Sequence, residues 1–369
     1  MYEQLPTYRP RNPGHDYYAP GIYLITLVVR NRRQQPTILG RLNNDARTPR
    51  VVLTPVGKAV FEEWTKTPLI QKEKGNELTL VNQVCMPDHW HGVIHVHKKM
   101  NKSLGNIIQY VKSSCTARWR AITGSQLDSS SSQAIRGMSE NQRNQLYSTM
   151  PLLQQPLFDD NYDDTICLTD PATGGYCQRH FSAMVQYVDD NPRRAIIRHL
   201  RPQFMERRLH IIIDGRDYAA FGNLFLLRWA RKVQVFCHRK APDGRTPYEK
   251  TEAYRNECRE WKRQVMEGAT VIVTPGISMG ERIIKDRCLE SGYPLIHLQK
   301  EPIGQYWKPE KKRFEACSRG SLLILAPWQA ESLGDVKGIP SNTDYSMFHN
   351  LNTLAEEICQ FEGEARIVW

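Results

Sequence analysis

The sequence predicts two domains in one chain: an α+β half, then an α/β half in which strands and helices alternate. Three observations predict it. At 369 residues the chain is long enough for two domains of roughly 100–200 residues, each able to bury its own core. Its first half places an early strand, a helix, a hairpin and a second helix in succession. Its second half repeats strand then helix, the pattern of parallel strands joined by crossover helices.

Gly21 to Val29 is β-branched, aromatic and apolar, which reads as a buried strand. Val56 to Leu69 has helical spacing, with Glu62, Glu63 and Lys66 on an outer face. Leu78 to Val84 reads as a strand. The turn residues Pro87 and Asp88 lead into another from His89 to Val96, so the two should form a hairpin. Ser103 to Trp119 is amphipathic, with Leu104, Ile107, Ile108, Val111 and Cys115 recurring at helical spacing. Residues 124–150 hold Gly124, the serines Ser129 to Ser132 and several Gln and Asn, and are expected to form a mobile insertion. Tyr162 to Leu168 and His180 to Val188 are expected to be helical. The second should stop at Asn191-Pro192, because proline disfavours the helical conformation at the residue before it.

In the second half, Lys232 to Cys237, Thr270 to Val273, Pro294 to Leu298 and Ser321 to Leu325 read as strands. Between and after them Glu252 to Glu267, Gly280 to Ser291, Lys311 to Cys317 and Met347 to Phe361 read as helices. The alternation implies a Rossmann-like layered domain. The boundary is expected near 200–222, giving domains over 1–205 and 215–369.

Composition excludes several classes. With 40% apolar and 24% charged residues the chain is ordinary globular material, not a disordered one. It has no apolar run of about 18 residues, so no membrane span is expected. Met1-Tyr2-Glu3-Gln4 opens no basic-then-apolar leader. Nine cysteines stand singly with no CxxC, which argues against a disulfide framework or a cysteine zinc site and for a reducing, cytoplasmic setting. The formal charge of +11 is uneven: residues 1–150 carry 20 basic and 10 acidic side chains, and residues 151–200 carry 4 and 7. A basic first half suits a polyanion, most simply nucleic acid.

Met86 to Val96 carries the most chemistry. On a strand, residues two apart share a face, so His89 and His91 present two imidazoles together while Trp90 points into the opposite layer. Two such imidazoles can chelate a divalent cation and leave positions for a carboxylate, water and a substrate oxygen. A buried, internally satisfied pair is the alternative. His95 and His97 have the same parity and extend the stripe.

Pro87-Asp88-His89-Trp90-His91-Gly92 inside a strand resembles the HUH motif (His, bulky hydrophobe, His). Residues 1–200 are similar to the single-tyrosine HUH transposases, most closely the REP-associated tyrosine transposase group. Matching pieces follow in order: the strand Tyr23 to Val29, the helix Leu104 to Ser113, Leu157 to Asp164, and Tyr187 to Arg194 with its Asn191-Pro192. The resemblance implies a ferredoxin-like α+β catalytic domain. It implies Tyr162 as nucleophile, His89 and His91 as ligands of Mg²⁺ or Mn²⁺, and single-stranded or hairpin DNA as substrate. Relatives can place a polar metal ligand one helical turn after the tyrosine, where this chain has Ile166, so Asp163 or Asp164 becomes the candidate oxygen donor. Relatives often carry an arginine where this chain has Thr169. Lys112 matches a basic, DNA-facing position, and Arg118, Arg193 and Arg194 are further candidate phosphate contacts, with a solvated helix face as the alternative.

In the second half, Val271 to Glu281 runs from a strand through a small-residue loop to a helix start. Thr274, Gly276, Ser278 and Gly280 are candidates for a phosphate loop, because free backbone N–H groups can converge there. A purely structural turn is the alternative, since the Lys of a P-loop and the full GxGxxG spacing are missing. About residues 215–330 resemble the Rossmann-like nucleotide-sensing and DNA-processing (DprA/SLOG-like) domains, which implies nucleotide or DNA at that loop. The expectation is thus a cytoplasmic single-strand DNA nickase and transposase working through a 5′-phosphotyrosine, with a homodimer as one option. The rivals are a non-catalytic DNA-binding regulator and a nucleotide-sensing enzyme acting through the second half.

Overall fold

Strand β1 (Gly21–Val28) is apolar on both sides because it lies inside a sheet covered on both faces. The computed structural model describes residues 12, 14–124, 135, 138–267, 270–327 and 344–367. Two compact units divide the chain, 1–196 and 197–369.

In the first unit β1 pairs antiparallel with β5 (His89–Val96) on one side and β6 (Asp163–Ile166) on the other. Strand β4 (Leu78–Cys85) closes the far edge, giving the order β4-β5-β1-β6. Two short strands, β2 (Gly40–Leu42) and β3 (Val51–Leu53), pair separately. Helix α1 (Pro55–Glu73) joins them to β4, and α2 (Leu104–Thr123) follows β5. Thr54 and Ser103 cap these helices, each side chain accepting an otherwise orphaned N–H.

Both helices belong to one face of the sheet. There Tyr23, Ile25, Leu27 and Trp90 share a core with Trp64, Ile108 and Val111. The Trp64 and Trp90 rings stack with centroids 4.0 Å apart and planes within 8°. The Trp90 ring folds across Gly92, where a Cβ would stand 2.1 Å from the indole edge. The opposite face is covered by a long helix, α4 (Gln178–Leu200), whose Met184 and Val188 pack on Ile22 and Val93. A short helix α3 (Glu140–Thr149) precedes it, capped by Ser139 and Gln142 in a reciprocal capping box. Most of the expected insertion from 124 lies outside the described residues until α3 begins.

Two expectations fail here for identifiable reasons. Tyr162 to Leu168 is not helical: Asp163–Ile166 takes the open edge of β1, whose ladder supplies hydrogen bonds a solitary helical turn cannot. Helix α4 does not stop at Asn191 but runs through Pro192. The proline costs one backbone bond. Met184, Val188, Pro192 and Ile196, at every fourth position, nevertheless keep one face continuously buried.

The second unit holds a seven-stranded sheet. Strands β9 (Arg231–Gln234), β10 (Thr270–Thr274), β11 (Leu295–Leu298) and β12 (Leu322–Pro327) are parallel. Helices α5 (Glu252–Met266), α6 (Met279–Ser291), α7 (Lys311–Ser318) and α8 (Asp344–Gln360) alternate with or follow them. The sheet is mixed, because β12 pairs antiparallel with β8 (Arg216–Gly222). Strand β7 (Arg207–Ile213) and β13 (Arg366–Ile367) extend that edge. The expected domains, 1–205 and 215–369, leave the whole of β7 between them. The β7–β8 turn is Asp214-Gly215, both at positive φ (48° and 76°), the geometry a two-residue hairpin requires. No helix among the described residues is long and apolar enough to cross a membrane.

Candidate functional site

His89 and His91 point away from the Trp90 core, toward the face that α4 covers, with ring centroids 4.6 Å apart. Each ring is oriented through its Nδ1. His89 Nδ1–H donates to Asp88 Oδ1 at 2.6 Å, and His91 Nδ1 lies 2.8 Å from Thr26 Oγ1, directly across on β1. Burial opposes ionisation of Asp88, but the hydrogen bond and charge of His89, with Arg32 beyond, hold its carboxyl below the usual carboxylate range. Imidazoles anchored in this way by a carboxylate and a hydroxyl match the outer shell of metal-bound histidines, which fixes the ring and directs Nε2 at the ion. Among the described residues no group of three His, Cys, Asp or Glu stands together as a cation site. A cation at this pair would have to take its remaining ligands from water or substrate oxygens.

The structure does not bring Tyr162 to this pair. Cross-strand register puts Asp163 opposite Thr26, so Asp163 shares the imidazole face, two strands and about 10 Å of backbone from His91. Tyr162 packs on the other face, 5% exposed, among Ile25, Leu27 and Trp90. Asp164 also takes that other face, where Tyr17 Oη donates to it at 2.8 Å. Tyr162 and Asp164 are thus separated from the imidazoles by the sheet itself, and Asp163 alone of the three keeps their side.

A different tyrosine meets the histidines. Tyr187, on α4, lies edge-on to His91 with centroids 5.3 Å apart and planes at 73°, and is 40% exposed. Helix α4 is held over this face by its apolar stripe and by Asn82 Nδ2, which donates to Asp189 Oδ1 at 2.8 Å. Sequence reasoning placed Tyr187 in a matching segment without giving it a role. The signal was its position next to Val188, one residue round from the stripe that faces the sheet. Thr26 and Asp88 were missed too; only strand register reveals the first.

The expected DNA contacts divide. Lys112 is buried and donates to the Asp160 carbonyl at 2.6 Å, so it braces the loop before β6 and offers no open phosphate contact. Arg118 pairs with Glu62 on the surface, and Arg193 lies 3.7 Å from Asp190. Arg194 stands two turns beyond Tyr187, and Asn191 one turn beyond, on the same side of α4. Arg32 and Arg33 are exposed where β1 ends.

In the second unit, the loop after β10 uses its amides internally. Gly276 N–H donates to Thr274 Oγ1, Ile277 N–H to Glu281 Oε2, and Glu281 N–H to Ser278 Oγ. Glu281, 1% exposed, also accepts from the Cys237 N–H. A carboxylate of the chain therefore occupies the place expected for a phosphate at Ile277. Gly280 is small for packing, since a Cβ there would lie 2.9 Å from Tyr254. Cations gather instead beside the loop: Arg282 Nε donates to the Gly276 carbonyl, and Lys285 lies over Gly276. Arg313 reaches Gln299 Oε1 at 2.9 Å and His297 Nε2 at 3.4 Å. Burial, with Lys285 and Arg313 nearby, pushes the His297 imidazole down to about 3.

No family model matches the sequence, and no curated protein matches it. Among solved structures, a REP-associated tyrosine transposase bound to a REP hairpin is similar, with a TM-score of 0.28 and 12% identity. The likeness covers 51% of this chain and 73% of that one. So slight a likeness leaves the reading of the site on the geometry above.

Proposed function

We propose that the first unit, an α+β domain of ferredoxin-like order, nicks and rejoins single-stranded DNA, with Tyr187 as the nucleophile in place of Tyr162. The observation that carries this is the meeting of Tyr187 and His91 on the face that also presents His89. A partly exposed phenol can reach a DNA backbone, whereas Tyr162 would first have to leave a packed core.

His89 and His91 would hold the divalent cation, Mg²⁺ or Mn²⁺, which supplies Lewis-acid polarisation of the scissile phosphate when bound. Asp88 and Thr26 keep both rings in place. Tyr187 Oη gives up its proton to solvent and attacks phosphorus in line. The bond from phosphorus to the 3′ oxygen breaks, that oxygen takes up a proton, and Tyr187 remains esterified to the 5′ phosphate. A 3′-hydroxyl from another strand reverses the step and rejoins DNA. Because the phosphodiester is conserved in the link, no ATP is consumed. Asn191 and Arg194 along α4, with Arg32 and Arg33 at the end of β1, lie where a strand entering the site would pass. Their contacts would set position and salt-dependent affinity rather than sequence.

The test is incubation with labelled single-stranded hairpin DNA and Mn²⁺, resolved on a denaturing gel. A protein-linked band is expected for the wild type and Tyr162→Phe, and none for Tyr187→Phe or for His89→Ala with His91→Ala. Failure of the wild type to form the band, or its survival in Tyr187→Phe, refutes the assignment.

A second reading concerns the other unit, where nucleotide binding is favoured by a cavity of about 590 Å³ beside the loop after β10. Phe236, His238, Ser278, Glu281 and Phe348 line it. It opens at the carboxyl ends of parallel strands, where sheets of this kind take ligands. Arg239 is the cation in its lining, while Lys285, Arg282 and Arg313 stand by the same loop outside that lining and would meet a phosphate placed against Gly276.

A further inference from the structure

Farther along β5, a second imidazole pair takes no part in the site above. His95 lies opposite Ile22, under α4, and so shares the face of His89 and His91. His97 follows the strand end, its backbone N–H still bonded to the Glu77 carbonyl. Their ring centroids are 4.1 Å apart, closer than those of His89 and His91. Thr79 stands opposite His95 on β4, and its hydroxyl lies 3.1 Å from His97 Nε2. The Tyr176 ring meets His95 edge-on at 5.7 Å. His95 is half-buried and His97 exposed, so an ion from solvent can reach both.

We propose that His95 and His97 form a second metal clamp, independent of His89 and His91, for transition ions that prefer imidazole, such as Zn²⁺, Ni²⁺ or Cu²⁺. Alternate residues on one strand face bring two ring nitrogens to one ion, and water completes its shell. Mg²⁺, which prefers oxygen ligands, would be held more weakly than these ions by either imidazole pair. Thr79 at Nε2 orients His97 and leaves Nδ1 for the ion, as outer-shell partners of metal-bound histidines do.

Position separates this clamp from the chemistry. Four residues of strand put His95 about 13 Å from His91, far beyond the roughly 3.5–4 Å of paired catalytic ions. Val93, with Met184 and Val188 of α4, packs between the two pairs. The second ion is therefore not co-catalytic. It sits where the sheet meets Tyr176, two residues before α4, the helix that carries Tyr187.

Isothermal titration of the full chain with Zn²⁺, and separately with Mn²⁺, tests the clamp. The variants are His95→Ala with His97→Ala, and His89→Ala with His91→Ala, each checked for folding by circular dichroism. The first is expected to lose one equivalent of Zn²⁺ and keep wild-type Mn²⁺ binding; the second keeps that Zn²⁺ equivalent. Unchanged Zn²⁺ stoichiometry in the first double variant overturns the proposal. Should that variant misfold, His97→Gln serves, with an expected loss of at least tenfold in Zn²⁺ affinity; unchanged affinity there overturns the proposal as well.

Discussion

The Tyr187 ring closes over His91 from α4 while Thr26 holds the same imidazole from β1, at 2.8 Å between Oγ1 and Nδ1. His91 is thus fixed from two elements at once. Thr26→Val keeps the side chain's shape and removes the hydroxyl. Adduct formation and Mn²⁺ affinity are each expected to fall about 10–100-fold, the usual effect of deleting an outer-shell partner. Asp88→Asn should do the same through His89. Equal Mn²⁺ affinity in wild type and both variants, measured by titration, would remove these residues from any positioning role.

Gly92→Ala tests the packing beneath the imidazoles. Its Cβ would lie 2.1 Å from the Trp90 ring, which is itself stacked on Trp64. Either the indole leaves its stack or the strand shifts, at a cost of about 1–3 kcal/mol for overpacking. Thermal unfolding should show a lower midpoint. A midpoint equal to wild type contradicts the ring placement.

How much of this was legible in the sequence turns on parity. The alternation of His89, Trp90 and His91 is local, so one strand reading puts both imidazoles on one face and the indole on the other, as found. The choice between Tyr162 and Tyr187 is not local. It depends on β6 pairing with β1 so that Asp163, not Tyr162, stands opposite Thr26. A shift of one residue in that register would exchange the two faces, and no pattern within residues 157–168 specifies it. Reading that segment as helix removed the register question and left Tyr162 free to swing toward the imidazoles. In the second unit three of the four parallel strands, β10, β11 and β12, were legible as buried apolar runs. Hairpin β7–β8 was overlooked although Asp214-Gly215 is a strong turn signal, because the expected domain boundary was laid across it.

His297 makes stability depend on pH in the second unit. Its imidazole is fully buried, with Nδ1 3.0 Å from the Thr274 carbonyl and Arg313 beside Nε2, and its pKa is pushed down to about 3. The unfolded chain takes up this proton near pH 6.5 while the folded chain does not. As pH falls from about 6.5 toward 3 the unfolded state binds more protons, so stability drops by up to about 1.4 kcal/mol per pH unit from this one group. His297→Gln, which does not titrate, should flatten that part of the slope in urea unfolding at pH 7.5, 6.0 and 5.0. An unaltered slope would mean that the buried imidazole is not the source.

The cations beside the second unit's loop carry the last prediction. Lys285 is held below its ordinary range by burial, and Arg313 and Arg282 add to the effect while Asp286 and Glu301 partly offset it. A phosphate brought to this cluster would relieve like-charge crowding that the chain's own carboxylates leave in part, while Glu281 remains with the amides of Ile277 and Cys237. Hydrogen bonds to charged groups contribute about 1.5–3 kcal/mol each. Lys285→Ala with Arg313→Ala should therefore weaken ATP binding at least tenfold in a fluorescence or calorimetric titration. Adenosine, lacking phosphate, should bind wild type and variant alike. If the wild type does not bind ATP, or the double variant binds it equally well, the cluster is a structural feature of the sheet edge and the nucleotide reading of this unit fails.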